Sequence, residues 1–194
     1  MPKISEIKVV RSPWRPISEA DRRRAALVVA NLISRLDFVT DWRLQKAYFL
    51  AEVWSIEERL RRLSAVDFAS WAHGPWSLHV REAEEALEAQ EIVSRVRHPA
   101  KRRPEAEFLQ IKKAEKLPPL EESDSEFLDS FAAQVKFVDG EKLTEITKLT
   151  LPFQATKRDA LVNLDKYLQT LREKHERFVN SPRVARLVAE AKAE

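Results

Sequence analysis

The stretch WAHGPWSLHV, residues 71–80, combines two tryptophans, a histidine, a proline and one of only two glycines in the chain. Gly74 is free of the φ limits that a side chain imposes, and a proline disfavours helical geometry in the residue before it. We therefore expect a corner between two helices at Gly74 and Pro75. Large flat side chains stabilise such a corner by packing against a neighbouring helix. We expect Trp71 to be buried in this way and Trp76 to stay exposed, where it would anchor a partner.

Helical periodicity surrounds this corner. Apolar residues recur at intervals of three and four over residues 18–36, and Ser18 with Asp21 resembles a capping box at the start of that segment. A second helix is expected over residues 40–61 and a third over residues 77–90. A threonine and a serine, both good N-caps, occupy their first positions.

The middle of the chain changes to a strand pattern and then returns to helix. EIVSRV, residues 91–96, and EFLQIKK, residues 107–113, alternate apolar and polar side chains, which predicts a β-hairpin with a long basic loop. Ser123 and Glu126 form the pattern of a capping box, so a helix is expected to begin there. Asp139–Gly140 is expected to end it, and a shorter helix to follow.

The last apolar pattern is a heptad seam of two and a half repeats, formed by Leu161, Leu164, Leu168, Leu171, His175 and Phe178. Such a seam pairs either with a helix of another chain or with the domain of its own chain. Two and a half heptads are short for a free coiled coil. A homodimer through residues 161–178 and packing within the chain are therefore both open at this point. Asn180–Pro182 is expected to end the seam and start a final helix.

These elements predict a mainly α fold: a compact helical domain with a small β-hairpin and a C-terminal helical extension. We expect an extended arm over residues 1–17, the helical domain over 18–156 and the extension over 157–194. A hydrophobic content of 44%, with five tryptophans and nine phenylalanines, is enough for a sizeable core.

Composition excludes several classes of function. The 34 basic and 31 acidic residues nearly cancel, so the net charge of +3 does not by itself imply a polyanionic partner. The absence of cysteine excludes disulfides, thiolate metal sites and a cysteine nucleophile. Two glycines are too few for a glycine-rich phosphate-binding loop. With no apolar run of signal-peptide or membrane-spanning length, we expect a cytoplasmic bacterial protein without a membrane partner.

No group of residues predicts catalysis. His73 and His79 match no metal-binding spacing, so neither a metal site nor a cofactor is expected. The glutamates of residues 82–91 are typical of a solvated helix face, whereas acid–base catalysis needs two groups that face each other in a cleft. We therefore expect no enzymatic activity.

A helix followed by a basic hairpin is also typical of winged-helix proteins that bind nucleic acid. Residues 92–116 hold eight basic and three acidic residues, a net charge of +5. Against this alternative, residues 77–91 hold five glutamates and one arginine, a net charge of −4 that would repel phosphates. The candidate phosphate contacts are Arg95, Arg97, Lys101, Arg102 and Arg103.

Three segments resemble the Panacea or SocA-like antitoxin domain family. LQKAYFLAEVW, residues 44–54, resembles the family's L-Q-K-x-x-Y-L-A helix, and WAHGP, residues 71–75, resembles its W-x-aromatic-G-P turn. LTEIT, residues 143–147, followed by Pro152–Phe153, is similar to a late segment of the family. The resemblance covers roughly residues 25–155.

The match is close at the motif positions and departs from the family at three others. Phe49 occupies a position that is usually tyrosine, Arg81 one that is commonly aromatic, and Lys148 one that is commonly histidine. The matching residues are Leu44, Gln45, Lys46, Leu50, Ala51, Trp71, Gly74 and Pro75.

The resemblance implies a mostly helical antitoxin of a two-gene toxin–antitoxin pair. Members of this family neutralise unrelated toxins by protein contact and not by chemistry, so the expected partner is a cognate toxin protein. The 71–80 stretch is then either a structural corner or a corner that is partly exposed as an anchor for the toxin. The candidate partner-binding residues are Gln45, Lys46, Trp71, His73, Gly74, Pro75 and Trp76.

Overall fold

The computed structural model describes residues 14–97, 107–184 and 186. Most of the predicted arm, the basic cluster at 101–103 and the end of the predicted extension lie outside these residues. The described residues are mainly α-helical with two small antiparallel hairpins, which confirms the predicted fold class.

The elements follow the predicted order, with an additional hairpin, an additional short helix and a 3-10 turn. The helices are α1 (Glu19–Arg35), α2 (Asp41–Arg59), α3 (Leu78–Ala89), α4 (Glu122–Val135), α5 (Gly140–Leu149), α6 (Leu151–Gln154) and α7 (Leu164–Val179). The strands are β1 (Ala69–Trp71), β2 (Gly74–Trp76), β3 (Val93–Arg97) and β4 (Glu107–Ile111), and a 3-10 turn covers Ala114–Lys116. Within the described residues, every helix is too short or too polar to span a bilayer.

Side-chain caps begin the first three helices where predicted. The Ser18 hydroxyl accepts the Asp21 backbone N–H at 3.1 Å, and the Asp21 carboxylate accepts the Ser18 N–H in return, which completes the capping box. The hydroxyls of Thr40 and Ser77 accept from the backbone N–H three residues further on, at 3.2 and 3.3 Å. Each cap satisfies a backbone donor that the helix itself leaves without a partner.

Helix α2 runs through the centre of the fold. Residues 43–53 are all buried, including the polar side chains of Gln45, Lys46 and Glu52. A helix buried on all sides has no solvated face, so neighbouring elements must satisfy its polar groups. The Glu52 carboxylate, for example, accepts from the hydroxyl of Ser64, which lies beyond the end of the helix.

The expected corner between helices at Gly74 and Pro75 is wrong. β1 and β2 form a short antiparallel hairpin, in which Trp71 pairs with Gly74 and Ala69 pairs with Trp76. Gly74 adopts φ +88°, a left-handed conformation that favours glycine, and so closes a tight turn before α3. Three-residue strands carry too little alternation to be predicted from the sequence.

The expected exposure of the two tryptophans is also wrong. Trp71 is 43% exposed, and Trp76 is the more buried of the pair. Their rings stack at a centroid distance of 4.5 Å with an interplanar angle of 5°. Trp76 is covered because Trp71 lies against it and Trp14 contacts it as well.

The second hairpin agrees with its prediction. β3 and β4 pair in antiparallel register, with Val93 opposite Ile111. Val93 and Leu109 are buried and face the core, and a bridge between Leu109 and Val39 joins the hairpin to the segment before α2.

Two predicted helix boundaries are wrong. α4 begins at Glu122 with Glu121 as its N-cap, so Ser123 lies inside the first turn and does not cap the helix. Asp139 does not end α4, whose last residue is Val135; it begins α5 instead, because its carboxylate accepts the Lys142 N–H at 2.7 Å.

The heptad seam is split between two environments. α7 begins at Leu164, and Leu161 precedes it in a bridge with Ala69. Leu164 is buried in the core. Leu168 and Leu171 are partly buried and pack against the core. The first half of the seam therefore packs within the chain. The second half is exposed, with His175 exposed and Phe178 64% exposed. The homodimer through residues 161–178 stays a prediction. Residues 182–184 are helical, as expected after Pro182.

Candidate partner-binding site

The two strongest sequence motifs meet through hydrogen bonds from α2 to the first hairpin. The Gln45 side chain accepts the Ser77 N–H at 2.8 Å and donates to the Ser77 carbonyl at 3.1 Å. The Lys46 ammonium donates to the Pro75 carbonyl at 2.7 Å. These bonds satisfy the backbone on the C-terminal side of the turn, so Gln45 and Lys46 hold the hairpin in place from beneath.

The third motif segment also packs against the hairpin, at Gly74. A Cβ added to Gly74 would lie 3.1 Å from the Thr144 methyl group and 3.4 Å from the Thr147 hydroxyl oxygen, both on α5. It would also lie 3.3 Å from the Lys46 side chain. The turn therefore needs glycine for two reasons, its φ value and the close approach of α2 and α5.

Above this frame lies a group of aromatic side chains, Trp14, Trp42, Trp71, His73 and Trp76, which we call the tryptophan ridge. Trp71 stacks on Trp76, and the edge of Trp14 contacts Trp76 at a centroid distance of 5.3 Å. The His73 ring, at the exposed tip of the hairpin, contacts Trp42 at 5.9 Å. The fifth tryptophan, Trp54, packs elsewhere against Phe131 of α4.

Trp42 is a member of the ridge that the sequence reasoning missed. Its indole N–H donates to the Thr144 hydroxyl at 2.9 Å, and its ring remains 48% exposed. It lies in the first turn of α2, outside the apolar stripe, so periodicity predicts only a solvated position. The signal that could have found it is its residue type, since an exposed tryptophan is unusual and is enriched at protein interfaces.

Trp14 was likewise missed, because it falls in the predicted arm. The residue after it, Arg15, pairs with the buried Asp67 through a 2.8 Å hydrogen bond. The Arg15 carbonyl lies 2.9 Å from His79 Nε2, and His79 Nδ1 accepts the Asp67 N–H at 3.3 Å. Because Nδ1 accepts, Nε2 carries the proton and donates it to Arg15. His79 is thus a buried structural residue. Its bond to the Arg15 carbonyl and its ring contact with Trp14 hold Trp14 in the ridge.

Beneath the ridge, Lys46 is a buried cation without a carboxylate partner among the described residues. Its ammonium lies 5.5 Å from the centroid of the Trp42 ring. Burial, with a smaller contribution from the positive charge of Lys148, lowers the pKa of Lys46 to about 8. A lysine loses its preference for the charged form when it leaves water, which is the physical cause of the larger effect.

The predicted partner-binding residues therefore divide into two groups. Trp71 and His73 are exposed and Trp76 is partly exposed. The buried members, which form the frame, are Gln45, Lys46, Gly74 and Pro75. A role for either group in binding stays a prediction.

The described residues of the alternative basic surface form ion pairs with acidic residues of the same chain. Arg95 pairs with Asp41 at 2.7 Å, with Glu88 at 2.7 Å and with the buried Glu84. Arg97 is exposed and pairs with Glu107. The remaining candidates, Lys101, Arg102 and Arg103, lie outside the described residues.

Comparison with known proteins agrees with this geometry. The family model described as antitoxin SocA-like, Panacea domain, matches residues 44–151, which is more than half of the 194-residue chain. Searches of curated proteins and of solved structures found no significant match. The matched region contains the hydrogen bonds from α2, the first hairpin and α5, and so spans the whole frame beneath the ridge. This chain belongs to the SocA-like, Panacea domain family of antitoxins.

Proposed function

We propose that this protein neutralises a cognate toxin by direct protein contact, without chemistry of its own, in the cytoplasm of a bacterium. Membership of an antitoxin family supports the antitoxin role. The observation that supports the binding mode is the tryptophan ridge. Trp14 and Trp71 both contact Trp76, and Trp42 contacts His73 at the tip of the same hairpin. Trp42 and Trp71 remain 48% and 43% exposed.

The ridge has the physical properties of an interface hot spot. Tryptophan combines a large apolar surface with an N–H donor and is enriched among residues whose truncation costs binding energy. The Trp71 and Trp76 rings are already stacked, and the Trp42 indole is already hydrogen-bonded to Thr144. Side chains ordered before binding lose little conformational entropy on association, so more of the contact energy appears as affinity.

The direct test is whether this chain rescues bacterial growth from the toxin. The product of the neighbouring gene is expressed in a bacterial host with and without this chain. We expect it to arrest growth alone, to be harmless with this chain, and to co-elute with it in size-exclusion chromatography. A neighbour that is harmless alone and forms no complex would contradict the proposal.

Removing the exposed tryptophans is expected to weaken toxin binding without unfolding the protein. Trp42→Ala and Trp71→Ala should each cost about 2 kcal/mol of binding free energy, roughly a 30-fold rise in Kd, because each deletes a large apolar contact. Isothermal titration calorimetry measures the Kd, and circular dichroism checks the fold.

Phe178→Ala is the matched control, since Phe178 is also an exposed aromatic residue. Helix α7 contacts Glu57 and Leu60, which lie about 22 Å or more along α2 from Trp42 at 1.5 Å per residue. We expect this variant to bind the toxin normally. If it loses binding while both tryptophan variants retain it, the interface lies on α7 and not on the ridge.

A further inference from the structure

Two lysines at the frame of the ridge have no carboxylate partner in the described part of the chain. Lys46 is buried beneath Trp42 and meets Thr147 of α5 around Gly74. The half-buried Lys148 follows Thr147 on that helix, and its charge disfavours the charged form of Lys46. On the exposed side, the His73 ring contacts Trp42. Among the described residues, the charge that acts most on Lys46 is the positive charge of Lys148.

Lys46 differs in this respect from three buried carboxylates of the protein. Asp124 is surrounded by arginines, Glu84 pairs with Arg95, and Glu52 pairs with Arg62. A buried charge without a counter-charge is costly, and folded proteins rarely keep one without a use. The single hydrogen bond from Lys46 to Pro75 uses one of its three N–H donors.

Resting on the proposed function, we propose that Lys46 and Lys148 form a receptor for a carboxylate, supplied by an aspartate or glutamate side chain of the toxin. The carboxylate pairs with Lys148 at the surface and with the charge of Lys46 beneath it. Trp42 lies over the Lys46 ammonium and forms one wall of the receptor. The toxin thus provides the counter-charge that Lys46 lacks among the described residues.

The surroundings of Lys148 indicate what flanks this acidic residue. Leu149, which follows Lys148 at the end of α5, and Leu151, the first residue of α6, are 70% and 63% exposed. Large exposed apolar side chains beside a charged group are typical of an interface in which apolar contacts exclude water from an ion pair. We therefore expect apolar residues next to the acidic residue of the toxin.

Binding of a carboxylate to this receptor must be coupled to protonation of Lys46. In the free protein Lys46, with its pKa lowered to about 8, is largely neutral at pH 9 and largely charged at pH 6.5. A carboxylate nearby favours the ammonium form and raises the pKa in the complex. Toxin binding should therefore take up a proton at pH 9 and almost none at pH 6.5, and affinity should fall as the pH rises above about 8.

The test is calorimetry of the wild-type protein with the toxin identified by rescue, at both pH values and in buffers of different ionisation enthalpy. We expect an uptake that approaches one proton per complex at pH 9. Lys148→Met should weaken binding at pH 7 by about 10- to 100-fold, the effect of one charge-assisted hydrogen bond. Lys142→Met is the matched control on α5, because Lys142 is exposed and pairs with Glu145, and it should change neither quantity.

Lys46→Met should abolish the proton uptake, and its thermal unfolding shows whether loss of the bond to Pro75 affects the fold. If that variant is unstable, the uptake of the wild-type protein and the Lys148→Met affinity still decide the question. Normal binding without proton uptake, or with unchanged affinity in Lys148→Met, would overturn the carboxylate receptor and leave the proposed function standing. Uptake induced by duplex DNA or inorganic phosphate instead of the toxin would also overturn it. Failure to bind the toxin at any pH would instead contradict the proposed function, and the receptor with it.

Discussion

Asp124→Ala is expected to destabilise the protein by about 3 to 5 kcal/mol, because it leaves partly buried arginines without their counter-charge. Asp124 is buried in the first turn of α4 and accepts hydrogen bonds from Arg24, Arg59 and Arg61. These arginines come from α1, from the end of α2 and from the loop after it. A single carboxylate thus joins three helices, and urea unfolding measures what its removal costs.

The stabilisation by Asp124 should depend on pH. Burial alone would raise the pKa of this carboxyl, but the hydrogen bonds and charges of Arg59 and Arg24 outweigh burial and lower the pKa below its ordinary value. A carboxylate whose pKa is lowered by folding stabilises the protein above the pKa of the unfolded chain, about 4. The stability difference between the wild type and Asp124→Ala should therefore be full at pH 7 and shrink as the pH falls below 4.

Asp129→Ala provides the comparison on the same helix. Asp129 pairs with Arg35 at 2.7 Å, but its side chain is exposed to solvent. Exposed ion pairs contribute about 0 to 1 kcal/mol, so this variant should unfold nearly like the wild type. Equal losses in the two variants would show that burial does not distinguish the two ion pairs.

Gly74→Ala is expected to cost about 3 kcal/mol of folding stability and to abolish toxin binding. A left-handed backbone costs a residue with a side chain about 1 to 2 kcal/mol, and crowding in a packed site adds a similar amount. The crowding arises because the new methyl group would lie 3.1 Å from the Thr144 methyl and 3.3 Å from the Lys46 side chain. Relief of the clash would displace the hairpin that carries Trp71 and His73, so binding should fail together with stability.

The other glycine of the chain is the control. Nothing lies within 4 Å of a Cβ added to Gly140, which is the first residue of α5. Gly140→Ala should therefore leave stability unchanged or raise it by up to about 1 kcal/mol, because alanine loses less backbone entropy on folding.

A double variant separates the two causes at Gly74. Thr144→Ser removes the crowding methyl group but keeps the hydroxyl that binds the Trp42 indole. Combined with Gly74→Ala, it should recover about 1 kcal/mol, the part of the crowding due to Thr144, while the contact with Lys46 and the cost of the left-handed backbone remain. Full recovery would mean that the φ value at this turn costs nothing, and no recovery would mean that Thr144 yields without cost.

Local signals in the sequence predicted the parts of the fold whose causes are local. Ser18, Thr40 and Ser77 begin helices because each side chain bonds to a backbone N–H three residues away, and no distant residue is needed. The alternation in β3 and β4 likewise depends on neighbours within one hairpin. The motifs at residues 44–54 and 71–75 are short runs of residue types, so they could be recognised without the fold and predicted the family that the family model matches.

Boundaries and exposures that depend on distant residues could not be predicted. Ser123 carries a local capping signal, yet the N-cap of α4 is Glu121, two residues earlier, and Asp124 in the first turn meets arginines that are distant in sequence. The exposures of Trp71 and Trp76 were reversed, because what covers Trp76 is Trp14, which lies 62 residues away in the printed sequence.

The chemistry of the candidate site was likewise predicted in part from residue types and determined in part by the fold. Residue types alone excluded cysteine chemistry and a glycine-rich phosphate loop, because those functions need residues that the chain lacks or has too few of. Only the folded molecule separated the buried frame, Gln45 and Lys46, from the exposed Trp42, and brought Lys46 together with α5 around Gly74. Burial and proximity depend on side chains from α2, the first hairpin and α5 together. Because these segments are far apart in the sequence, no local pattern predicts either property.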